Sequence, residues 1–115
     1  MTMLLIAGIK ACDSMKKAFA RLDSAGIAYS FQDFKKTPPS AEQLQSWLAA
    51  LGADVLVNKR GTTWRQLSDV DKAKAEQAEA LIALLQAKPS MIKRPLLQQN
   101  EQITVGLDSA LLPTA

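Results

Sequence analysis

The residue best suited to chemistry is Cys12, the only cysteine in the chain. An apolar run, Met3–Ala7, comes before it, and a helical pattern of apolar residues begins after it. Gly8 permits a turn between the two, so this order predicts a buried strand, a turn and an amphipathic helix with Cys12 at its N-terminus. Free backbone N–H groups and the positive end of the helix dipole stabilise a thiolate there. We therefore predict that Cys12 is a nucleophile.

Cations near Cys12 decide how strongly its thiol is activated. A helix N-terminus is worth roughly 1 kcal/mol, which lowers a thiol pKa by less than about one unit. Stronger activation needs positive charges close to the sulfur. Lys10, Lys16 and Lys17 are the local candidates, although a solvated surface position is the ordinary interpretation of each. Lys10 is the best of them because it lies in the turn itself.

The residues that the chain lacks exclude several kinds of chemistry. It contains no histidine, which excludes His-based catalysis and His-ligated metals, and we expect no metal site. A single cysteine excludes an internal disulfide, and Met15 stands where a Cys-x-x-Cys motif would have its second thiol. Any redox cycle through Cys12 therefore needs a thiol from another molecule.

Composition and charge favour a globular protein with no nucleic-acid or membrane partner. The 115 residues are 48% hydrophobic and carry a net charge of +3, which suits a single domain that is only mildly basic. No basic motif typical of nucleic-acid binding is present. No apolar run approaches the roughly 18 residues of a transmembrane helix, and the N-terminus lacks the features of a signal peptide. We expect a cytoplasmic protein.

The elements around Cys12 are predicted to form a small sheet. Alternating apolar residues over Ile27–Phe31 predict a second strand after the first helix, which ends near Gly26. Strand, helix and strand at this spacing form a βαβ unit. Cys12 then lies at the carboxyl end of its strand, where open α/β sheets bind their ligands.

The C-terminal part of the chain is predicted to add a β-hairpin. Leu96–Gln98 and Gln102–Val105 are the two strands, and the turn covers 99–101. Leu107–Leu112 predicts a short closing helix before Pro113.

The middle of the chain has a helical pattern. Ser40 and Gln43 predict a capping box for a helix that ends at Gly52. Residues from about 71 to 87 predict one further helix. The α/β domain is thus expected to consist of a sheet-containing core over about 1–35 and 88–115 and an all-helical insertion over about 36–87.

Three pieces of the sequence resemble the ArsC family of arsenate reductases and its relatives Spx and YffB. The pieces are Gly8-Ile9-Lys10-Ala11-Cys12-Asp13, Asn58-Lys59-Arg60-Gly61-Thr62-Thr63-Trp64 and Ile92-Lys93-Arg94-Pro95-Leu96. They occur in the family's order and spacing, and the similarity extends essentially from Met3 to Leu112. The second piece is similar to the YffB branch, for which reductase activity, in some members glutathione-dependent, has been proposed.

The resemblance implies a thioredoxin-like fold, which is a small mixed β-sheet flanked by helices, here with an inserted all-helical subdomain. By the family pattern, Cys12 is the catalytic nucleophile, Arg60 and Arg94 bind an anionic substrate or glutathione, and Pro95 is a cis proline beside the cysteine. Guanidinium groups suit this role because they are always charged and bind oxyanions bidentately. The candidate site residues are Cys12, Arg60, Arg94, Lys10, Gly8 and Pro95.

The resemblance further implies a monothiol reductase of small anionic or thiol substrates, with glutathione as co-substrate and no tightly bound cofactor. Glutathione or a glutaredoxin is the expected partner that resolves the Cys12 intermediate. Two alternatives stay open. A true arsenate reductase of this class carries a third arginine before the final helix, and Gln102–Ser109 contains none. An Spx-like regulator, which binds a protein partner without catalysis, often has the second cysteine that this chain lacks.

Overall fold

The structure is a computed structural model that describes residues 3–113. The chain forms two compact units. One contains the residues up to Thr37 together with those from Arg94 onward, and the other is Pro38–Lys93. The domain boundaries drawn from the sequence stay predictions.

The first unit contains a mixed sheet and a helix. Strand β1 (Leu4–Gly8) leads through a short loop into α1 (Asp13–Ser24), and β2 (Tyr29–Asp33) follows. Strands β3 (Leu96–Gln99) and β4 (Gln102–Val105) form the hairpin. In the order β2-β1-β3-β4, β1 pairs parallel with β2 and antiparallel with β3, while β3 and β4 are antiparallel. The predicted mixed sheet, βαβ unit and hairpin are confirmed.

The core of this unit lies between α1 and the sheet. The buried cluster consists of Leu4, Ile6, Met15, Ala18, Leu22, Leu97 and Leu112. Phe19 extends it, since its ring stacks on Tyr29 at a centroid distance of 5.7 Å and meets Phe31 edge-on at 5.0 Å. Because burial of apolar surface is the main force that holds such layers together, the start of α1 is fixed against the end of β1.

The second unit is built from short helices. These are α2 (Ala41–Leu51), α3 (Ala53–Leu56), α4 (Thr62–Arg65), α5 (Asp69–Ala73) and α6 (Ala78–Ala87), with 3₁₀ turns over Lys74–Glu76 and Pro89–Met91. Helix α2 packs on α6 and α3, and its Trp47 is fully buried. An isolated antiparallel bridge joins Val57 to Ile92.

The start and end of α2 follow the sequence prediction. The Ser40 hydroxyl accepts the Gln43 N–H at 3.1 Å, and the Gln43 side chain accepts the Ser40 N–H at 3.0 Å. This reciprocal pair satisfies two backbone donors that the first turn leaves free. The helix ends at Gly52, whose φ of 79° lies in the region that favours glycine. The predicted capping box and helix end are confirmed.

The prediction of one helix over 71–87 is wrong. The chain is extended at Gln77, with φ −123° and ψ 128°, and this residue separates the Lys74–Glu76 turn from α6. Upstream, the Ser68 hydroxyl caps the separate short helix α5 by accepting the Asp71 N–H at 3.1 Å. Residues 72–77 offer alanine as their only apolar side chain, so burial there contributes little to keeping a single helix intact.

The prediction of a closing helix over Leu107–Leu112 is also wrong, since the segment forms turns. The Leu107 carbonyl accepts a hydrogen bond from the Arg21 guanidinium at 3.0 Å instead of from a helical N–H. The Ser109 hydroxyl accepts the Leu111 N–H at 2.9 Å and also bonds to the Thr104 hydroxyl. Side-chain bonds of this kind compete with the helical backbone pattern.

The second strand begins later than predicted, because the end of α1 extends into the predicted strand. Gly26 has a φ of 68°, and the Ile27 N–H donates to the Leu22 carbonyl at 3.0 Å. These contacts are typical of a glycine-containing helix end. The strand register is therefore set from Tyr29, which lies opposite Leu4 of β1.

Candidate functional site

Cys12 lies where the sequence placed it, at the start of α1. It is the N-cap residue, with φ −76° and ψ 135°, and its side chain is half-buried. The Cys12 N–H donates to the Ile9 carbonyl at 3.1 Å, while the Cys12 carbonyl accepts the Lys16 N–H at 3.1 Å. The turn after β1 and the first turn of the helix therefore both fix the Cys12 backbone.

The surroundings of the Cys12 sulfur favour the thiolate. Burial is the largest single influence and raises the pKa of the Cys12 thiol, but it is outweighed by the backbone N–H groups of Ser14 and Met15, the charge of Arg94 and the Ser14 hydroxyl. The net effect holds the pKa of Cys12 below its ordinary value. The N-cap side chain makes no cap hydrogen bond of standard geometry, so the two N–H groups act on the sulfur mainly as dipoles.

The sheet brings Arg94 and Pro95 to the end of β1, from which the Cys12 loop begins. Strand β3 pairs with β1 so that Leu96 lies opposite Ala7, and one further step of this register brings Pro95 opposite Gly8. The Arg94–Pro95 peptide bond is cis, which confirms that prediction. The Pro95 carbonyl accepts the Gly106 N–H at 2.8 Å. Arg94 is half-buried, so its charge acts on the thiol from a partly shielded position.

Gly8 leaves room for two side chains of this site. A Cβ atom on Gly8 would lie 2.5 Å from the Met15 sulfur and 3.3 Å from the Arg94 Cγ. Real Cβ atoms essentially never approach another heavy atom as closely as 2.5 Å. Glycine at this position therefore lets Met15 pack under the turn and lets the stem of Arg94 cross it.

Lys10 lies in the turn and is exposed. Together with Lys16 and Lys35 it lines a groove of about 550 Å³ whose other walls are Ala11, Phe19 and Asp33. The structure thus brings Lys10 to a basic groove on the Cys12 loop, while the charge of Arg94 lowers the pKa of Cys12.

Arg60 belongs to the helical unit. It lies in the loop between α3 and α4 and is exposed to solvent. The Asn58 side chain accepts the backbone N–H of Arg60 at 3.2 Å. Arg60 lines a cavity of about 400 Å³ with Asp54, Val57, Asn58, Lys59 and Lys93. Lys59 is engaged there, because its ammonium bonds to Asp54 at 3.0 Å and lies 5.4 Å from the centroid of the Trp64 ring. The predicted role of Arg60 toward Cys12 stays a prediction.

Two contributors to the thiol environment were not identified from the sequence. Ser14 lowers the pKa of the Cys12 thiol through its hydroxyl and its backbone N–H, and Met15 lowers it through its backbone N–H. The available signal was their position, since the second and third residues after an N-cap carry the free N–H groups of a helix.

Neither a metal site nor a membrane-spanning helix is found within residues 3–113. In that range no three His, Cys, Asp or Glu side chains are grouped so that they could hold a metal ion. The helices described there are too short or too polar to cross a membrane.

A mixed four-stranded sheet, with a cysteine at the start of the helix after β1 and a cis proline before β3, defines a thioredoxin-like protein with a candidate thiol site. The sequence profile of the ArsC family matches residues 7–112. The chain therefore belongs to the ArsC family, which confirms the predicted family and fold class.

Individual relatives agree with this assignment. A solved structure named YffB (PA3664) protein is 42% identical, covers 90% of each chain and superposes with a TM-score of 0.84. An uncharacterised protein of Haemophilus influenzae is 35% identical over 106 residues, 92% of each chain. An arsenate reductase of Rhizobium meliloti is 31% identical over 87 residues, which are 74% of this chain and 61% of that enzyme. The first of these supports the YffB branch.

Proposed function

We propose that this protein is a glutathione-dependent thiol oxidoreductase in which the Cys12 thiolate attacks a disulfide substrate. The observation that carries the proposal is the half-buried Cys12 sulfur at the start of α1, whose pKa is lowered by the helix N–H groups and by the charge of Arg94. A lowered pKa increases the thiolate fraction near neutral pH, and the thiolate is the nucleophile. Kinship with an arsenate reductase adds support, since that relative is named as a reductase.

The chemistry needs one protein thiol and two glutathione molecules. The Cys12 thiolate attacks one sulfur of the substrate disulfide, a mixed disulfide forms, and the other substrate thiolate leaves and takes a proton from solvent. A glutathione thiolate then attacks the Cys12 sulfur and releases the second substrate thiol. A second glutathione attacks the glutathionyl sulfur, which restores the Cys12 thiolate and forms glutathione disulfide. One substrate disulfide is reduced and two glutathiones are oxidised.

The cations of the site have distinct roles in this proposal. Arg94 stabilises the Cys12 thiolate before attack and binds an anionic group of the substrate. Arg60 is proposed to contribute a second guanidinium to substrate binding, on the strength of the family pattern. A glutaredoxin is the alternative resolving partner, and it would supply the same attacking thiolate.

The segment beside Pro95 favours a disulfide over arsenate as the substrate. The Gly106 N–H bonds to the Pro95 carbonyl at 2.8 Å, so the chain around Gly106 lies next to Arg94 and Pro95. No arginine occurs in Gln102–Ser109, so this segment supplies no guanidinium of its own to an oxyanion, and the Arg21 guanidinium that reaches it donates to the Leu107 carbonyl. We therefore expect arsenate to be a poorer substrate than a disulfide.

The proposal is tested by a coupled assay. Bis(hydroxyethyl) disulfide, glutathione, glutathione reductase and NADPH are mixed with the protein, and NADPH oxidation is followed; a parallel series replaces the disulfide by arsenate. We expect disulfide-dependent turnover with the native chain, a glutathione adduct on Cys12 in the mass spectrum, and neither with Cys12→Ser. Equal rates for the native chain and Cys12→Ser would contradict the proposal. Turnover with arsenate alone would replace the disulfide by arsenate as substrate.

A further inference from the structure

We propose that the groove beside the Cys12 loop binds glutathione, with lysine ammonium groups on its two carboxylates and the Asp33 carboxylate on its α-ammonium. We call this the lysine groove; its lining residues are Lys10, Ala11, Lys16, Phe19, Asp33 and Lys35. The inference rests on the proposed function for the identity of the thiol, and it assigns residues that recognise it.

The lysine groove lies at the carboxyl ends of β1 and β2. The parallel register sets Gly8 opposite Asp33, and the Phe34 N–H donates to the Gly8 carbonyl at 2.9 Å. The loops that follow the two strands are therefore neighbours, and they bring Lys10 and Lys35 to one groove. Ligands of open α/β sheets bind at this end of the strands.

Helix α1 supplies the remaining wall. Lys16 and Phe19 follow Cys12 by one and two helical turns, so the three side chains share one face of the helix. Ala11 lies about 3.8 Å from Cys12, measured between neighbouring Cα atoms. The groove therefore borders the residue before Cys12 and the helix that Cys12 begins. The volume of about 550 Å³ lies in the roughly 300–1,000 Å³ range of small-ligand sites.

The charges of the lysine groove are unbalanced. Within residues 3–113, neither Lys10, Lys16 nor Lys35 takes part in an ion pair. The one carboxylate of the groove, Asp33, accepts the Lys35 backbone N–H at 3.0 Å and keeps a second oxygen for a ligand. Three ammonium groups around one carboxylate call for a ligand with more anionic than cationic groups.

Glutathione has the complementary set of groups. Near neutral pH it carries two carboxylates and one ammonium, and its γ-glutamyl chain has two methylene groups that can cover the Phe19 ring. The α-amino-carboxylate of that chain is a zwitterion, which suits a lysine and an aspartate in the same groove. A neutral disulfide such as bis(hydroxyethyl) disulfide has none of these charges, so the groove distinguishes the thiol co-substrate from an uncharged substrate.

Binding can be measured without the redox reaction. The full chain with Cys12→Ser is titrated with S-methylglutathione, and amide NMR spectra are followed. We expect shifts at Lys10, Phe19 and Lys35. Lys16→Gln and Lys35→Gln, made in the same background, are expected to weaken binding about tenfold each, as for the loss of one charge-assisted hydrogen bond.

Matched variants separate specific contacts from general charge. Lys17→Gln and Lys36→Gln remove exposed lysines that adjoin the groove residues in sequence but do not line the groove, and they are expected to leave binding unchanged. Asp33→Asn retains an oxygen for the Lys35 N–H. It is expected to weaken S-methylglutathione but not the analogue in which glutaryl replaces the glutamyl group and removes the ammonium.

The possible outcomes distinguish the groove from the proposed function. Equal losses for Lys16→Gln and Lys17→Gln, or spectral shifts confined to residues away from the groove, would overturn the assignment even where the native chain reduces bis(hydroxyethyl) disulfide. Specific binding in the groove with no reductase activity of the native chain would support the assignment and overturn the proposed function.

Discussion

At the scale of single residues, the Cys12 sulfur depends on groups from two distant parts of the sequence. Ser14 and Met15 are the second and third residues after Cys12, on α1, whereas Arg94 is positioned by the pairing of β3 with β1. The N-terminus of the helix alone stabilises the thiolate by roughly 1 kcal/mol. Burial alone would raise the pKa of this thiol. The N–H groups of the helix and the guanidinium charge of Arg94 together lower the pKa below its ordinary value.

The lowered pKa of Cys12 links its ionisation to folding. Because the pKa of the folded thiol lies below that of the unfolded thiol, ionisation stabilises the fold fully above the unfolded pKa. This stabilisation is lost as the pH falls through the folded pKa. We expect the difference in unfolding free energy between the native chain and Cys12→Ser to grow with pH between the two pKa values and then level off. Urea denaturation under reducing conditions measures it, and a difference independent of pH would contradict the expectation.

Gly8 offers a test of packing beneath the site. Gly8→Ala places a methyl group 2.5 Å from the sulfur of Met15, which is fully buried. Overpacking of this kind costs about 1–3 kcal/mol, so we expect the unfolding free energy to fall by that amount in denaturant titrations.

The Met15→Ala background is the control for this change. There the 2.5 Å approach to the Met15 sulfur is removed and the 3.3 Å approach to the Arg94 Cγ remains, so Gly8→Ala is expected to cost clearly less than it does in the native chain. An equal cost in both backgrounds would show that Met15 is not the residue that Gly8 accommodates.

Part of the site can be predicted from the sequence. Cys12 is identifiable because it is the only thiol and lies between a strand and a helix, and Pro95 because the family pattern marks a cis proline. The lysine groove could not be read from the sequence, since Lys10 and Lys35 are brought together by the parallel pairing of β1 with β2. Pairing between segments that are distant in the sequence is not visible in the residue pattern of either segment.

At the scale of elements, predictions succeeded where local bonds decide the structure. The capping box of α2 is local to Ser40 and Gln43, and its geometry follows directly from the sequence. The helix predicted over 71–87 failed because residues with high helix propensity still form a break when they bury little apolar surface. The closing helix failed because Arg21, from another element, takes the Leu107 carbonyl.

The capping box can be tested by Ser40→Ala. The substitution leaves the Gln43 N–H without its partner, and we expect a loss of about 1 kcal/mol in unfolding free energy, measured by thermal or urea denaturation. Ser46→Ala is the matched control, since Ser46 is an exposed residue inside the same helix and alanine favours helix there. Equal destabilisation by both changes would show that the hydrogen bond of the cap does not contribute to the unfolding free energy.

At the scale of the whole molecule, the ArsC family pattern assigns a site residue to each of the two units. Cys12, Arg94 and Pro95 belong to the sheet-containing unit, and Arg60 belongs to the helical unit. The order of the three motifs in the sequence predicts that these residues act in one site. That prediction does not depend on the geometry within either unit.

Arg60→Gln tests the contribution of the helical unit. We expect it to slow the reaction of Cys12 with the dianionic disulfide dithiobis(nitrobenzoate) by about tenfold, as for the loss of one charge-assisted contact. The rate with neutral bis(hydroxyethyl) disulfide should change little. Arg65→Gln, an exposed arginine of the same unit, is the matched control. If both variants slow the reaction with the anionic disulfide equally, Arg60 acts only through the net charge of the protein.

The most direct test of the account is the pH dependence of Cys12 alkylation. The rate of reaction with iodoacetamide is measured by mass spectrometry across the titration of the thiol, for the native chain, Arg94→Gln and the control Lys17→Gln. We expect an apparent pKa below that of free cysteine in the native chain and in Lys17→Gln, and a higher pKa in Arg94→Gln, because the guanidinium charge beside the thiolate is lost. A native pKa at or above that of free cysteine would contradict the claim that this site presents a nucleophilic thiolate.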